Sequence, residues 1–416
     1  MGKRWRTRIL LFLAVLGPGF ITANVDNDSG GILTYSQAGA QYGYTLLWTM
    51  IPITISLIVV QEMCARMGVV TGKGLSDLIR EEFGLRLTFI LMLALVVVNY
   101  TNVVTEFIGI AGSLQLFHVS KFISVPLCAV LVWYMVVRGS YKSTEKIFLI
   151  ASTIYIAYIF AGVLSQPSWH DALLATVKLP ADTVWRDKAY IYMAIGVVGT
   201  TIAPWMQFYL QSSIVEKGIR VKDYAASRLD VIVGSFFTDL VAWFIVVACA
   251  ATLFVHGMGA ISEASEAAEA MRPLAGDYAY ILFAFGLFNA SLFAASILPL
   301  STAYTVCEGL GVESGVDKSF KEAPFFYWLY TLLIVGGAAT VLMLPKEQLM
   351  NFAILSQVLN GVLLPVVIIL MLLLINRKDL MGEHRNSRLW NVIAWSTSII
   401  VIGLTLVMLW GLMPGH

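Results

Sequence analysis

Two carboxylates, Asp26 and Asp28, lie in the middle of an apolar stretch near the N-terminus. Residues 24–31 read Asn-Val-Asp-Asn-Asp-Ser-Gly-Gly and interrupt a run of apolar residues between about 9 and 39. Aspartate, asparagine and serine compete with the helix for backbone hydrogen bonds, and paired glycines are entropically costly in a helix. The pattern predicts an unwound segment that presents carboxylate and carbonyl oxygens, which are the ligands that hard divalent cations prefer.

The composition places this segment in a membrane. Of the 416 residues, 58% are hydrophobic and 13% are charged, and the mean hydropathy is +0.80. Soluble domains average about 25% charged residues, so lipid is the expected solvent. The net charge of +1 says nothing about partners, but the lack of a basic run excludes a nucleic-acid partner. The four cysteines are far apart in the chain and predict neither a disulfide framework nor a zinc site.

Eleven apolar segments are long enough to cross about 30 Å of hydrocarbon. They lie at approximately 9–39, 45–66, 87–113, 121–137, 147–164, 189–213, 229–255, 278–304, 323–344, 349–375 and 389–412. The first could instead be two short helices joined by an external loop. Against that alternative, residues 9–25 would barely span the bilayer and residues 32–44 could not.

The distribution of lysine and arginine predicts the orientation, because cytoplasmic loops retain positive charge. With the N-terminus inside, the predicted cytoplasmic parts hold 21 of the 27 lysines and arginines. This split supports eleven spans, a cytoplasmic N-terminus and an extracytoplasmic C-terminus. The basic start of the chain resembles a signal peptide but has no small-residue cleavage pattern, so we expect a retained first helix. Short loops favour the inner membrane of a prokaryotic cell.

The sixth segment contains a second interruption. Gly196, Gly199 and the run from Thr200 to Trp205, which includes Pro204, break its apolar pattern. Proline removes a backbone donor and frees a carbonyl group, although a simple proline kink would give the same pattern. Matching breaks in segments 1 and 6 are typical of an inverted repeat with a binding site at the bilayer midplane. We therefore predict one all-α polytopic membrane domain (1–416) of five plus five helices, with repeats at roughly 9–164 and 189–375 and an extra helix at 389–412.

Several motifs resemble the Nramp divalent-metal transporters. Three of these motifs match the first helix of the family. Gly17-Pro18-Gly19-Phe20, Asp28-Ser29-Gly30-Gly31 and Gln37 to Tyr44 correspond to GPGF, DPGN and QAGAQFGY. Further similarity occurs at Glu106-Phe107-Ile108-Gly109, at Gly199 to Pro204 and at Leu355 to Pro365. The resemblance implies a LeuT-type fold with eleven transmembrane helices, unwound helices 1 and 6, and transport of divalent cations.

The chain departs from the family at the residues that would bind the metal. Asp28 is kept, but the family's asparagine is Gly31, its helix-6 methionine is Ala203 and the neighbouring histidine is Trp205. The family's helix-3 aspartate is Val103. This combination resembles the Nramp-related magnesium transporter branch.

Elementary coordination chemistry agrees with that resemblance. A thioether favours transition metals, whereas oxygen ligands suit Mg²⁺, Ca²⁺ and Mn²⁺. Because Mg²⁺ keeps several of its waters, we expect small residues at 31 and 203 to leave room for a hydration shell. The hypothesis is a largely hydrated Mg²⁺, with Mn²⁺ also carried. Its predicted ligands are Asp28 and the carbonyls of Val25 and Thr200, beside Gly31 and Ala203, with Asp26 and Asn360 binding through water.

Proton coupling is not expected. The five histidines lie in loops or at segment ends, and histidine is the side chain that titrates readily near neutral pH. With Val103 and Trp205 in place of the residues that family members use, Glu106 remains as a coupling residue or as a packed, hydrogen-bonded carboxyl.

Other functions stay open at this point. The first is a proton-coupled Mn²⁺ or Fe²⁺ transporter, and another is a membrane sensor or scaffold without transport. An intramembrane metalloenzyme would need histidines or several carboxylates at membrane depth, so no enzyme activity is expected. An amino-acid transporter is disfavoured by the carboxylate at the first break. The expected partners are the lipid bilayer and a metal ion carried as substrate, without a cofactor, and a monomer is the expected state.

Overall fold

The computed structural model describes residues 17–138, 155–180, 187–261 and 264–411, and within these ranges every regular element is helical. The α-helices, numbered in chain order, are α1 (Pro18–Val25), α2 (Ser29–Tyr42), α3 (Met50–Thr71), α4 (Leu75–Phe83), α5 (Leu85–Gln115), α6 (Lys121–Val137), α7 (Ile156–Leu164), α8 (Trp169–Val177), α9 (Lys188–Thr201), α10 (Pro204–Glu216), α11 (Tyr224–Cys249), α12 (Ala264–Leu310), α13 (Pro324–Met343), α14 (Lys346–Ile375), α15 (Lys378–Met381) and α16 (Arg388–Gly411). Short 3₁₀ turns lie at Leu47–Thr49, Val221–Asp223 and Gly382–His384, and a π-helical turn at Ala250–Phe254 extends α11.

Most predicted spans are present as helices. Within the described ranges, eight helices are long and apolar enough to cross a membrane, and they correspond to segments 2, 3 and 6 to 11. Segments 1 and 4 appear as the α1–α2 pair and as the shorter helix α6, and α7 forms the end of segment 5. Three predicted segments extend beyond the described residues. The parts outside are 9–16 of segment 1, 147–154 of segment 5 and residue 412 of segment 11. The all-helical polytopic class is thus confirmed, while the count of eleven, the repeat boundaries and the orientation stay predictions.

Both predicted breaks are present. α1 ends at Val25 and α2 begins at Ser29, so Asp26, Asn27 and Asp28 lie between two helices. In the sixth segment, Ile202 and Ala203 have non-helical backbone angles between α9 and α10. Pro204 is the first residue of α10, a position where proline lacks only a donor that would be unpaired anyway. The second break is therefore a true interruption of the helix and more than a kink.

The first break is shorter than the sequence suggests. Gly30 and Gly31 are poor helix formers and were expected in the unwound stretch, yet they form the first turn of α2. The reason is a local cap. Asp28 is the N-cap residue of α2, and its Oδ1 accepts a hydrogen bond of 2.7 Å from the Gly31 N–H. Aspartate is among the favoured N-cap residues because it satisfies one of the unpaired donors of the first turn.

A buried carboxylate on α11 holds the start of α1. The N–H groups of Gly17, Gly19 and Phe20 donate to Asp230 at 2.9, 2.8 and 3.1 Å. Gly234, one turn further along α11, allows the close approach, because a Cβ there would lie 2.7 Å from the Phe20 Cα. Asp230 therefore caps α1 from a neighbouring helix and fixes the position of the chain that leads to the break.

Removal of this cap should destabilise the protein. In Asp230→Ala, three N–H donors at a helix start would lose their acceptor, and each unsatisfied buried group costs about 1–3 kcal/mol. We expect the apparent melting temperature in detergent to fall by several degrees, and by less in Asp230→Asn, which keeps one acceptor oxygen. An unchanged melting temperature in Asp230→Ala would show that the contact does not stabilise α1.

Candidate metal-binding site at two helix breaks

Asp28 lies at the centre of the interrupted first span. Its side chain is only 4% exposed, and the capping bond to Gly31 orients one of its oxygens. The carboxyl of Glu106 on α5 interacts with it. Asp28 is therefore positioned by its own helix, and it faces a second acid from a third element.

The two carbonyl groups predicted as ligands both lose their α-helical partners. In a continuous helix the Ser29 N–H would pair with the Val25 carbonyl, but it donates to Glu106 Oε2 at 3.1 Å instead. Thr200 is four residues before Pro204, which has no N–H to offer. The carbonyl oxygens of Val25 and Thr200 are thus free of helical hydrogen bonds at the two breaks.

The space beside Gly31 differs from the expectation. A Cβ at this position would clash with the Asp26 carbonyl oxygen and lie 3.2 Å from the Thr200 Oγ1. The glycine therefore does not leave open room in this structure. Instead, it lets the first turn of α2 pack against the chain break and against the end of α9. Ala203, the residue before α10, is 2% exposed.

Asn360 on α14 belongs to an amide network. It exchanges hydrogen bonds with Asn102 of α5 at 2.9 and 3.0 Å, and its amide nitrogen also donates to the Gln357 oxygen at 2.9 Å. Ser356 donates to the Asn102 oxygen at 2.6 Å. These contacts join α5 to α14. For the predicted contact through water, Asn360 can offer only a further lone pair of its carbonyl oxygen.

The residues predicted to relate to coupling have packing roles in this structure. Glu106 Oε2 accepts a hydrogen bond from the Ser29 N–H and lies 2.8 Å from the Ser29 hydroxyl oxygen. Glu106 therefore supports the start of α2. Val103 is fully buried and packs against Gly337 of α13. Trp205 is 1% exposed, and its carbonyl accepts from Ser301 at 3.0 Å.

Sequence reasoning did not assign Asp239 to the site. This residue of α11 is 4% exposed, and Asp26, which is 2% exposed, lies within electrostatic reach of both Asp239 and Asp28. The available signal was an acid in the middle of an apolar segment. Within the described ranges, no group of three or more histidine, cysteine or acidic residues is arranged to hold a metal ion.

Two interrupted membrane helices with buried carboxylates and freed carbonyl groups at their breaks are typical of secondary transporters. Residues 19–411 match the family described as natural resistance-associated macrophage protein-like. The chain therefore belongs to the Nramp family and is a multi-pass membrane transporter, in agreement with the sequence-based resemblance.

Similar proteins are named for cation transport. The chain is 26% identical to the divalent metal cation transporter MntH of Deinococcus radiodurans, in an alignment that covers 100% of this chain and 93% of that protein. It is 27% identical to the divalent metal cation transporter MntH of Nostoc sp., in an alignment that covers 96% of this chain and 92% of that protein. These names describe transporters rather than enzymes and a transported cation rather than a cofactor, as the sequence led us to expect.

Solved structures share the fold. The Eremococcus coleocola manganese transporter, in complex with an aromatic bis-isothiourea substituted compound, superimposes with a TM-score of 0.73 at 22% identity, covering 98% of this chain and 87% of that one. Mhp1, a nucleobase-cation-symport-1 family transporter, gives a TM-score of 0.55 at 14% identity, covering 95% and 92%. The likeness extends over almost the whole chain and supports the predicted broken-helix architecture.

Proposed function

We propose that this transporter carries divalent metal cations, that partly hydrated Mg²⁺ is its preferred substrate with Mn²⁺ also carried, and that transport needs no proton. The observation that carries the proposal is the donor set at the two breaks. It consists of the Asp28 carboxylate and the carbonyl oxygens of Val25 and Thr200, with Ala203 in the place of a thioether. Oxygen donors without sulfur favour hard cations, and a set this small suits an ion that retains water.

The arrangement also supports transport without protons. The histidines within the described ranges, at 118, 170, 256 and 384, are not among the buried residues. Val103 is apolar, and Glu106 is used to hold Ser29. A divalent cation needs no coupled proton to enter, because each charge gains about 2.3 kcal/mol per 100 mV of membrane potential.

Proton-coupled Mn²⁺ transport is the second candidate. The specific observation in its favour is that the similar structures include those of a manganese transporter and that the curated relatives are named for divalent metal cations. This candidate requires a proton path, for which Glu106 is the available buried acid beside Asp28.

One experiment separates the two candidates. Purified protein in proteoliposomes at a fixed, inside-negative potential should take up Mg²⁺ at the same rate with and without a pH gradient, and the lumen should not acidify. Mn²⁺ uptake should be suppressed by excess Mg²⁺. Uptake driven by an imposed pH gradient, or Mn²⁺ uptake that excess Mg²⁺ does not affect, would favour the proton-coupled manganese transporter. Liposomes without protein control for leakage.

A further inference from the structure

The wall of the site formed by α11 and the first break contains acceptors without donors. Within the described residues, neither carboxyl oxygen of Asp26 nor of Asp239 accepts a hydrogen bond, and the Asn27 Oδ1 has no partner either. Both acids are at least nine-tenths buried. Five oxygen atoms that can accept hydrogen bonds therefore lie inside the protein with no donor assigned to them.

Three hydroxyl groups near the two acids donate to other oxygen atoms. Thr54 lies beside Asp239 but donates to the Met50 carbonyl at 2.7 Å. Thr201 donates to the Val197 carbonyl at 2.8 Å, so the Tyr35 hydroxyl must donate to Thr201, from which it is 2.7 Å away. In this arrangement, none of the three groups donates to Asp26 or Asp239.

The register of α1 and α11 keeps the two acids close to each other. Asn27 donates from its amide nitrogen to the carbonyl and the hydroxyl oxygen of Thr238 at 3.0 and 2.6 Å. Thr238 and Asn27 are the chain neighbours of Asp239 and Asp26. The hydrogen bonds between Asn27 and Thr238 therefore fix the positions of Asp26 and Asp239 relative to each other.

Simple neutralisation does not satisfy this arrangement. The only buried basic side chain in the described ranges is Arg66, which pairs with Glu62. Protonated acids would need acceptors for their own hydroxyl groups, and Asp26 and Asp239 are not hydrogen-bonded to each other. A buried polar group without a partner destabilises the structure in either protonation state. A hydrated cation would supply both several donors and positive charge.

We propose that Asp26 and Asp239 form a pair of acceptors that binds the water shell of the transported cation from the α11 side. This inference rests on the proposed function and adds Asp239 as a residue that determines specificity for hydrated ions. Asp28 and the freed carbonyl groups bind the same ion on the other part of its surface.

The test compares Mg²⁺ with hexaamminecobalt(III), an ion that cannot exchange its ligands and can bind only through its N–H groups. Binding is measured as the concentration-dependent rise in melting temperature of the purified full-length protein. Wild-type protein should be stabilised by both ions. In Asp239→Asn, the affinity for hexaamminecobalt(III) and for Mg²⁺ should fall by about tenfold or more, since a hydrogen bond to a charged group contributes at least that factor.

Two further readouts separate this role from a structural one. Without ions, Asp239→Asn should be at least as stable as the wild type, because it removes a buried, unpaired charge. Asp239→Glu should retain binding of both ions. The matched control is Ser235→Ala, which removes a buried, uncharged oxygen one turn earlier on α11 and should bind both ions like the wild type.

The outcomes are distinguishable. If wild-type protein responds to Mg²⁺ and Asp239→Asn responds identically to both ions, this inference is wrong and the proposed function stands. The same holds if Mg²⁺ stabilises the wild type and hexaamminecobalt(III) does not. Asp239→Asn that unfolds or melts earlier without ions would show a structural contact and would also overturn the inference. If the wild type neither binds nor transports Mg²⁺, the proposed function itself fails.

Discussion

Replacement of Asp28 by alanine should abolish saturable Mg²⁺ uptake in proteoliposomes. The carboxylate is the one charged group that the proposed site places directly on the ion, and it is almost fully buried. A hydrogen bond or ion pair lost in such a place costs several kcal/mol, and each 1.4 kcal/mol is a factor of ten in affinity. We therefore expect the rate to fall by about two orders of magnitude or more at substrate concentrations near the wild-type KM.

Asp28→Ala also removes the cap of α2, so a loss of fold must be separated from a loss of binding. The matched variant is Asp28→Asn, whose amide oxygen can still accept the hydrogen bond from the Gly31 N–H. Asparagine is as good an N-cap as aspartate, so this variant should keep the wild-type melting temperature without ions and still lose uptake. Mg²⁺ uptake by Asp28→Asn at the wild-type rate would show that the ion binds elsewhere.

The fold was largely predictable because its determinants are local. The interruption at 24–31 and the proline at 204 are properties of a few neighbouring residues, and their effect on a helix is known from peptide chemistry. The family motifs around Asp28 placed the same residues in the same architecture. The structure adds that Asp28 itself starts the second half-helix, and this cap draws Gly30 and Gly31 into regular helix.

The contacts across the site could not be read from the sequence. Asp230 and Asp239 both lie in the apolar segment 229–255, and nothing local distinguishes the acid that caps α1 from the acid that faces Asp26. The distinction depends on which helix packs beside each residue. In the same way, the engagement of Asn360 by Asn102 depends on the contact between α5 and α14. Long-range side-chain partners follow from tertiary packing, which a single sequence does not specify residue by residue.

The expectation that Gly31 leaves open space was wrong for a related reason. Replacing a large residue by glycine suggests a larger pocket if the backbone stays where it is. Here the chain at Asp26 and the end of α9 approach Gly31 and occupy the volume. Under the proposed function, the water shell of the ion is accommodated on the side of Asp26 and Asp239 or by movement of the half-helices.

Ala203→Met should reverse the metal preference. Ala203 is the last residue of the second break, directly before Pro204, and is almost fully buried. A methionine there would bring a polarizable sulfur to the site and displace water. Because thioethers select softer metals and Mg²⁺ keeps its waters, we expect the KM for Mg²⁺ to rise by about tenfold or more and inhibition by Cd²⁺ to strengthen by a similar factor. Each tenfold change corresponds to about 1.4 kcal/mol, which is within the range of a single ligand.

The informative control is Ala203→Leu, which adds similar bulk without sulfur. If the thioether acts as a ligand, both variants should lose Mg²⁺ transport, but only Ala203→Met should gain sensitivity to Cd²⁺ and carry Mn²⁺ in the presence of excess Mg²⁺. Equal behaviour of the two variants would mean that residue 203 limits only the space around the ion. Unchanged Mg²⁺ transport in both would place residue 203 away from the ion, and the absence of sulfur could then no longer explain a preference for hard cations.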